Sequence, residues 1–470
     1  MDRFPCIYLK KPPPVKLSLP VDSIVCFFCF HPIDVAMLHL LRAIFGDEPR
    51  SAWTTFFALL LVVSMTFSPF LLSMSMWGLV AMALWNASAT YHQHNPGSRM
   101  RRVATWVKGL NLSINNLLQR PEYLLFTLLL LVPALSVFWS DDMGYWAERT
   151  RVRLPFLILP WVFVNLPLLS ARQSRLVLYM LVWTMTLLCI GVGINFALHA
   201  DSILFGLSEG RPIPVPRHHI RFNLMLATAI MAGGWMWQQG FRGRFRWERP
   251  ALAVLLVVLF AFIHFLSVRS GIAALYCALM FSALRFIWRT RRWALGLAVM
   301  AALLAVPIIA INTIPSLKQR MSYMKYDWEH YRSNEGESYS DSERWVSLKT
   351  GWMMWKENPV LGVGAGDLPR ETARLVNQYF PKYLETPKMP HNQFLYILAG
   401  TGLLGLSLSL LAFYYPLWLN RYRRYYLFAT FQVMVFVSFL VEYTIETAMG
   451  VAWYLFYTLF FMKMAEQDRN

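Results

Sequence analysis

Apolar runs, each broken by a short basic or turn-rich stretch, recur from residue 53 to residue 462. A helix crosses lipid with about 20 mostly apolar residues, fewer where neighbours shield it. The runs at 53–67, 69–87, 123–139, 154–169, 176–197, 220–237, 251–267, 271–288, 293–311, 394–415, 426–441 and 448–462 meet that pattern. They predict an all-α polytopic membrane protein with about twelve transmembrane helices. The first two runs divide only at Ser68-Pro69.

One long polar interruption, residues 312–389, separates the ninth run from the tenth. Within it, the acidic, Ser-rich stretch 333–342 reads as a mobile loop. Residues 343–357 place Trp345, Leu348, Trp352 and Trp355 on one face of an amphipathic helix. Asn358-Pro359 ends that helix, and Gly362, Gly364 and Gly366 form a flexible, turn-rich passage. Before the first run, residues 33–45 carry apolar positions at helical spacing, an interfacial helix within an extension covering residues 1–50. Residues 51–470 form the membrane domain.

Composition agrees with this picture. Hydrophobic residues are 57% of the chain and charged residues 15%, with a mean hydropathy of +0.41, too few charges to cover a soluble protein of 470 residues. The net charge of +18 is not a nucleic-acid signature, because the basic residues sit in clusters between apolar runs. Arg99, Arg101, Arg102, Lys108 and Arg120 follow the second run; Arg172 and Arg175 the fourth; Arg242, Arg244, Arg246 and Arg249 the sixth. Arg289, Arg291 and Arg292 follow the eighth, and Arg421, Arg423 and Arg424 the tenth. All fall on one side, which the positive-inside rule makes cytoplasmic, together with both termini. The N-terminus does not read as a signal peptide: Asp22 interrupts it and the apolar run 24–30 is short. Cys26 and Cys29 form the single CxxC and read as apolar filler, since no second pair completes a zinc site.

Chemistry is then expected on the opposite side, at the loops 199–219 and 312–389. His391 stands in Pro390-His391-Asn392-Gln393, where polar loop turns into apolar helix. A titratable imidazole there suits proton transfer at a lipid–water boundary; its alternative is an interfacial anchor, with Asn392 capping the helix. Arg221 opens the sixth run and Arg269 lies in the tight turn between the seventh and eighth. Arginine at such positions either clamps a phosphate or diphosphate in bidentate fashion or snorkels to headgroups. Glu442 and Glu446, four positions apart between the last two runs, share a face if that junction is helical; they either orient an arginine or sugar hydroxyl or stand solvated. His199, His218 and His219 lack carboxylate partners at ligand spacing, so no metal is assigned there. Asp141-Asp142 reads as a solvated turn, with divalent-ion binding its alternative.

Several separated segments together resemble the O-antigen ligase/polymerase family of bacterial envelope proteins. They are His219-Ile220-Arg221-Phe222, Val268-Arg269-Ser270-Gly271, Arg344-Trp345 through Asn358-Pro359-Val360-Leu361-Gly362-Val363-Gly364, and Pro390-His391-Asn392 with Gly400-Thr401-Gly402-Leu403-Leu404-Gly405. Glu442, Glu446 and Gly450 close the series, and the likeness runs from Trp53 to the C-terminus. It implies a lipid-dependent glycosyltransferase of the bacterial inner membrane with its site facing the periplasm and no cofactor or metal. It also implies that His391 activates the acceptor hydroxyl and that Arg221 and Arg269, assisted by Arg217, hold the pyrophosphate of an undecaprenyl-pyrophosphate-linked glycan. Asn392, Glu442 and Glu446 are supporting candidates. The implied reaction is an inverting transfer to lipid A–core, with the loop 312–389 closing over the donor. An O-antigen polymerase or a protein O-oligosaccharyltransferase would use the same donor chemistry. A lipid-linked oligosaccharide flippase, from a different class, would call for repeated broken helices and charges at mid-membrane.

Overall fold

The computed structural model describes residues 48–94, 102–241, 245–333, 340–383 and 387–468. The Cys26/Cys29 pair, the amphipathic stretch 33–45 and residues 334–339 of the Ser-rich stretch lie outside them. Among the described residues the secondary structure is helical throughout, without strands.

All twelve apolar runs are helical. Nine helices are long and apolar enough to cross a membrane. These are α1 (Pro49–Phe67), α2 (Pro69–His94), α4 (Pro121–Phe138), α7 (Ala171–Leu198), α10 (Glu248–Phe265), α11 (Arg269–Thr290), α12 (Trp293–Thr313), α16 (Gln393–Trp418) and α18 (Ala448–Gln467). The other three runs are α6 (Pro155–Asn165), α9 (His219–Gln238) and α17 (Tyr426–Val441). Helix α6 has only 11 residues and α17 has 16, while α9 has 20 residues but is less apolar. The remaining helices are α3 (Arg102–Leu118), α5 (Met143–Arg153), α8 (Ala200–Ser208), α13 (Pro315–Ser333), α14 (Ser340–Glu357) and α15 (Leu368–Tyr379).

Local chemistry sets the helix starts. Ser170 and Gln173 form a reciprocal capping box for α7, and prolines stand in the first turns of α1 and α6, where no intrahelical N–H is needed. Helix α18 is the axis of the bundle, buried from Met449 to Met462 and packed against α6 and α17. Helix α12 is the opposite case. It is apolar all round, yet only Gly296 and Ala310 are buried, as expected of a helix whose outer faces meet lipid.

The interruption 312–389 is largely helical. Helix α14 lies on α16, with Met354, Leu368, Leu375, Tyr396 and Ala399 as a shared core. Trp345, Leu348, Trp352 and Trp355 do share a face of α14, but it is the outward one: Trp345 and Trp352 are each 47% exposed, while Val346, Ser347, Thr350 and Met354 point inward.

The glycine passage is packed rather than flexible. Helix α16 breaks at Gly402, whose φ is 65°. The carbonyls of Ala399 and Gly400, freed by the break, accept the N–H groups of Val363 (2.9 Å) and Gly364 (3.0 Å). In return, Leu403 N–H donates to Pro359 O at 2.9 Å. Two backbones can lie this close only without side chains between them: a Cβ at Gly402 would stand 2.1 Å from Val360 O, and one at Gly362 would stand 2.5 Å from Thr401 N. The motif therefore anchors the 359–364 segment to α16, eight positions and more beyond His391.

Candidate active site

His391 precedes α16, and Asn392 caps that helix by accepting Leu395 N–H at 2.9 Å while donating to Leu440 O at 3.0 Å. The second bond ties the start of α16 to the end of α17. The N–H of His391 itself donates to Ser347 Oγ of α14 at 3.3 Å. Its ring stacks on Tyr443 with centroids 5.2 Å apart and planes 6° from parallel, and Tyr443 in turn stacks on Tyr396 at 5.8 Å. Nδ1 of His391 faces Glu442 Oε1 at 3.9 Å, beyond hydrogen-bond length, which leaves Nε2 as the ring nitrogen for a substrate.

Electrostatics depart from the near-neutral imidazole that the residue type suggests. Burial, with Arg344, Lys388 and Arg221 adding positive charge, lowers the His391 pKa to about 3. The imidazole is thus neutral at pH 7, with a lone pair free to take a proton. Burial also holds the Glu442 carboxyl above the usual carboxylate range, against the pull of Arg221 and Arg344.

Arg221, in the first turn of α9, is almost wholly enclosed. It and Glu442 are each 2% exposed, with Nη2 and Oε1 3.7 Å apart. Its Nη2 also donates to Tyr443 O at 3.2 Å, and Nη1 lies 2.9 Å from His218 Nε2. Burial, Arg221 and His219 lower the His218 pKa to about 3, so His218 accepts as a neutral ring. Arg221 therefore grips the turn that carries Glu442 and Tyr443.

Arg269 opens α11 at the same end of the neighbouring helix. Gly271 makes that closeness possible, since a Cβ there would meet Asn223 Cβ of α9 at 2.5 Å. The guanidinium of Arg269 is ion-paired with Asp341 of α14. Arg217 is exposed, in left-handed backbone with φ 66°, and makes no contact with His391 among the described residues.

Glu442 and Glu446 do not share a helical face, because the junction is not a continuous helix. Glu442 is extended at the end of α17, and a 3-10 turn covers Thr444–Glu446. Neither is solvated. Glu446 Oε1 accepts from Arg153 Nη2 at 2.6 Å and from Gln393 Nε2 at 2.8 Å, and its carbonyl accepts from Arg149 Nη1 at 2.8 Å. One glutamate thus serves the Arg221–His391 side and the other ties α5 to the start of α16. Asp141 pairs with Arg370 at 2.9 Å, and Asp142 caps α5 through Tyr145 N–H. His218 and His219 stack on each other at 4.9 Å, and His199 bonds Asn195 O. No group of three His, Cys, Asp or Glu among the described residues could hold a metal ion.

Arg153, Arg149, Gln393, Tyr443 and Arg344 also line the candidate site; the sequence assigned none of them a role, although Gln393 and Arg344 stand in segments quoted above. An arginine pair in the charged stretch 148–153, beside the fourth apolar run, was the available signal for the first two.

Among curated proteins none matches this sequence. Residues 254–410 match the family model described as O-antigen ligase. The match holds Arg269, Arg344, His391 and the glycine break, while Arg221, Glu442 and Glu446 lie outside it. The match spans about a third of this multi-pass membrane protein, and over that third the chain is similar to the O-antigen ligase family.

Proposed function

We propose that the protein transfers a glycan from undecaprenyl pyrophosphate to a hydroxyl of lipid A–core, on the periplasmic face of the bacterial inner membrane. His391 is the general base. The acceptor oxygen bonds to the anomeric carbon as its proton passes to His391 Nε2. The bond from that carbon to the pyrophosphate oxygen breaks, and the pyrophosphate leaves with the electron pair. One displacement inverts the anomeric centre, and the proton on His391 then passes to water. Residues 51–470 are the catalytic unit, with 312–389 as its periplasmic cap.

One observation carries this reading above the others: His391 is neutral, faces Glu442 through Nδ1, and stands among arginines at one end of a membrane bundle. A departing pyrophosphate needs charge compensation more than it needs a nucleophile, and fixed guanidinium groups supply it without reorganisation. Arg269 contacts the pyrophosphate once Asp341 yields. Arg221, held by Glu442, contributes through its field and by fixing Tyr443 beneath the His391 ring. Arg217 stands at the rim.

The low pKa of His391 belongs to the donor-free protein. Burial is the larger cause of the depression, and a pyrophosphate beside Arg344 offsets the positive charge that adds to it, so donor binding raises the base from its donor-free value. The test is reconstitution with lipid-linked glycan and three acceptors: lipid A–core, a second lipid-linked repeat, and a peptide. Product on lipid A–core supports the ligase reading; product on either alternative alone replaces it with polymerase or protein glycosylation. Transfer in EDTA is expected to be undiminished.

A further inference from the structure

We infer that the outward face of α14 and the turn that follows it are seated in the lipid bilayer, in the leaflet at the His391 end of the bundle. The α14 tryptophans lie at headgroup level and Val360-Leu361 enters the acyl region. The inference needs the assignment of α16 as a spanning helix and does not depend on the donor chemistry proposed above.

Among the described residues the outward face of α14 is left open. Trp345 and Trp352 are each 47% exposed, and Trp355 packs on Trp352 with ring centroids 4.5 Å apart. Trp328 of α13 extends the aromatic surface, its ring 5.8 Å from that of Trp345. Lys349 and Lys356 are exposed and border this stripe, within about 40° of Trp345 around the helix. Indoles bordered by lysines mark a helix lying in a membrane interface, where the rings sit among headgroups and the ammonium groups reach phosphates.

The end of the helix sets the depth. Trp355 Nε1 donates to Pro359 O at 3.2 Å, which carries the stripe on to Val360 and Leu361, 62% and 45% exposed. Val360 O accepts the N–H of Leu404 at 3.2 Å, and Leu403 and Leu404 of α16 are themselves 48% and 54% exposed. The open apolar surface of the cap therefore continues onto the side of a spanning helix, which makes lipid, and not a second protein, its occupant. At ~1.5 Å per residue, Leu403 stands about 22 Å along α16 from Trp418, the exposed tryptophan ahead of the basic stretch 421–424. A hydrocarbon core is about 30 Å thick, so Leu403 and the turn beside it lie inside it.

Irregular backbone is tolerated at that depth only where protein satisfies it. The segment meets this requirement: the N–H groups of Val363 and Gly364 and the carbonyls of Pro359 and Val360 are all bonded to α16. The seat also bears on the site, because Ser347, on the inward face of α14, accepts the His391 N–H. Lipid on one face of α14 thus fixes the height of its other face over the histidine.

The test uses the full chain in nanodiscs of phosphatidylcholine brominated either near the headgroup end or near the methyl end of its acyl chains, with aqueous iodide as the converse quencher. Bromine and iodide quench an indole on contact, so the difference between a variant and wild type reports the altered position against the other tryptophans. Leu361→Trp should add blue-shifted emission that loses most of its intensity in a bromolipid and little in iodide. Trp352→Phe should remove emission quenched more by the shallow bromolipid than by the deep one. Should Leu361→Trp melt well below wild type, Val360→Trp takes its place, and the Trp352→Phe arm stands independently. If iodide quenches both positions and neither bromolipid does, the face lies in water, open to a protein partner, and the inference is wrong. If bromolipid reaches position 361 while only iodide reaches Trp352, α14 stands clear of the membrane and its seating is refuted.

Discussion

Truncating Glu446 to alanine should destabilise the His391 end of the bundle by an amount that the geometry lets one work out. Glu446 Oε1 accepts from Arg153 at 2.6 Å and Gln393 at 2.8 Å, and the Arg153 and Glu446 side chains are only 5% and 2% exposed. Removing one member of such a pair strands a buried charge, at a cost of about 3–5 kcal/mol. The Gln393 amide loses an acceptor as well, worth about 1–3 kcal/mol, though the two losses overlap. With ~4 kcal/mol as the working value, and ~2–4 °C per kcal/mol for a large domain, the apparent melting temperature should fall by on the order of 10 °C. Activity should fall further than stability explains. Gln393 also accepts the Ile445 N–H at 3.0 Å and follows His391 by two positions, and a misplacement of ~1 Å at a reacting group costs ~10²-fold in rate. The assay is tryptophan-fluorescence melting in detergent alongside transfer rate, for Glu446→Ala, Glu446→Gln and the double variant Arg153→Met/Glu446→Met. The double variant should recover most of the stability, because apolar replacement of a buried pair removes its desolvation cost, but not the activity. A Glu446→Ala protein that melts within a degree or two of wild type would refute the claim that this network holds the site.

Four further outcomes follow from the same structure. Gly402→Ala should destabilise by about 2 kcal/mol or more, from the left-handed backbone and the approach of Val360 O, whereas Gly191→Ala, with nothing within 4 Å of its Cβ, should be harmless in the same melting assay. Asp341→Asn should tighten donor binding severalfold by releasing Arg269; weaker binding in the titration would show that Asp341 supports the site rather than occupying it. Because His391 and His218 are each lowered from 6.5 to about 3, the folded chain binds fewer protons than the unfolded chain between those values. Their contribution to stability is therefore full above about pH 6.5 and declines as pH falls toward 3. The acidic limb of kcat should lie at higher pH than that of kcat/KM for the donor, since bound pyrophosphate raises His391; coincident limbs would contradict this.

The apolar runs alone gave away the twelve apolar helices, since lipid and a fully apolar core demand the same residues, but not the more polar helices α3, α5, α8, α13 and α15. His391, Arg221 and Arg269 stood out as candidates because each is a charged or titratable group at the edge of an apolar run. What was not legible depends on pairing over distance. Arg153 and Glu446 are 293 positions apart, and nothing in either neighbourhood names the other. Periodicity placed four apolar positions on one face of α14 without saying that small residues, not tryptophans, would meet α16. The glycines of 362–366 read as flexible, because a sequence does not show the second backbone that presses against them.

The proposed role of His391 as general base is tested most directly by following lipid-linked glycan and lipid A–core in proteoliposomes with wild type and His391→Ala side by side. It predicts that the variant still binds undecaprenyl pyrophosphate and melts as the wild type does, yet forms no glycosyl product and releases no undecaprenyl pyrophosphate. Transfer by His391→Ala at the wild-type rate would contradict it.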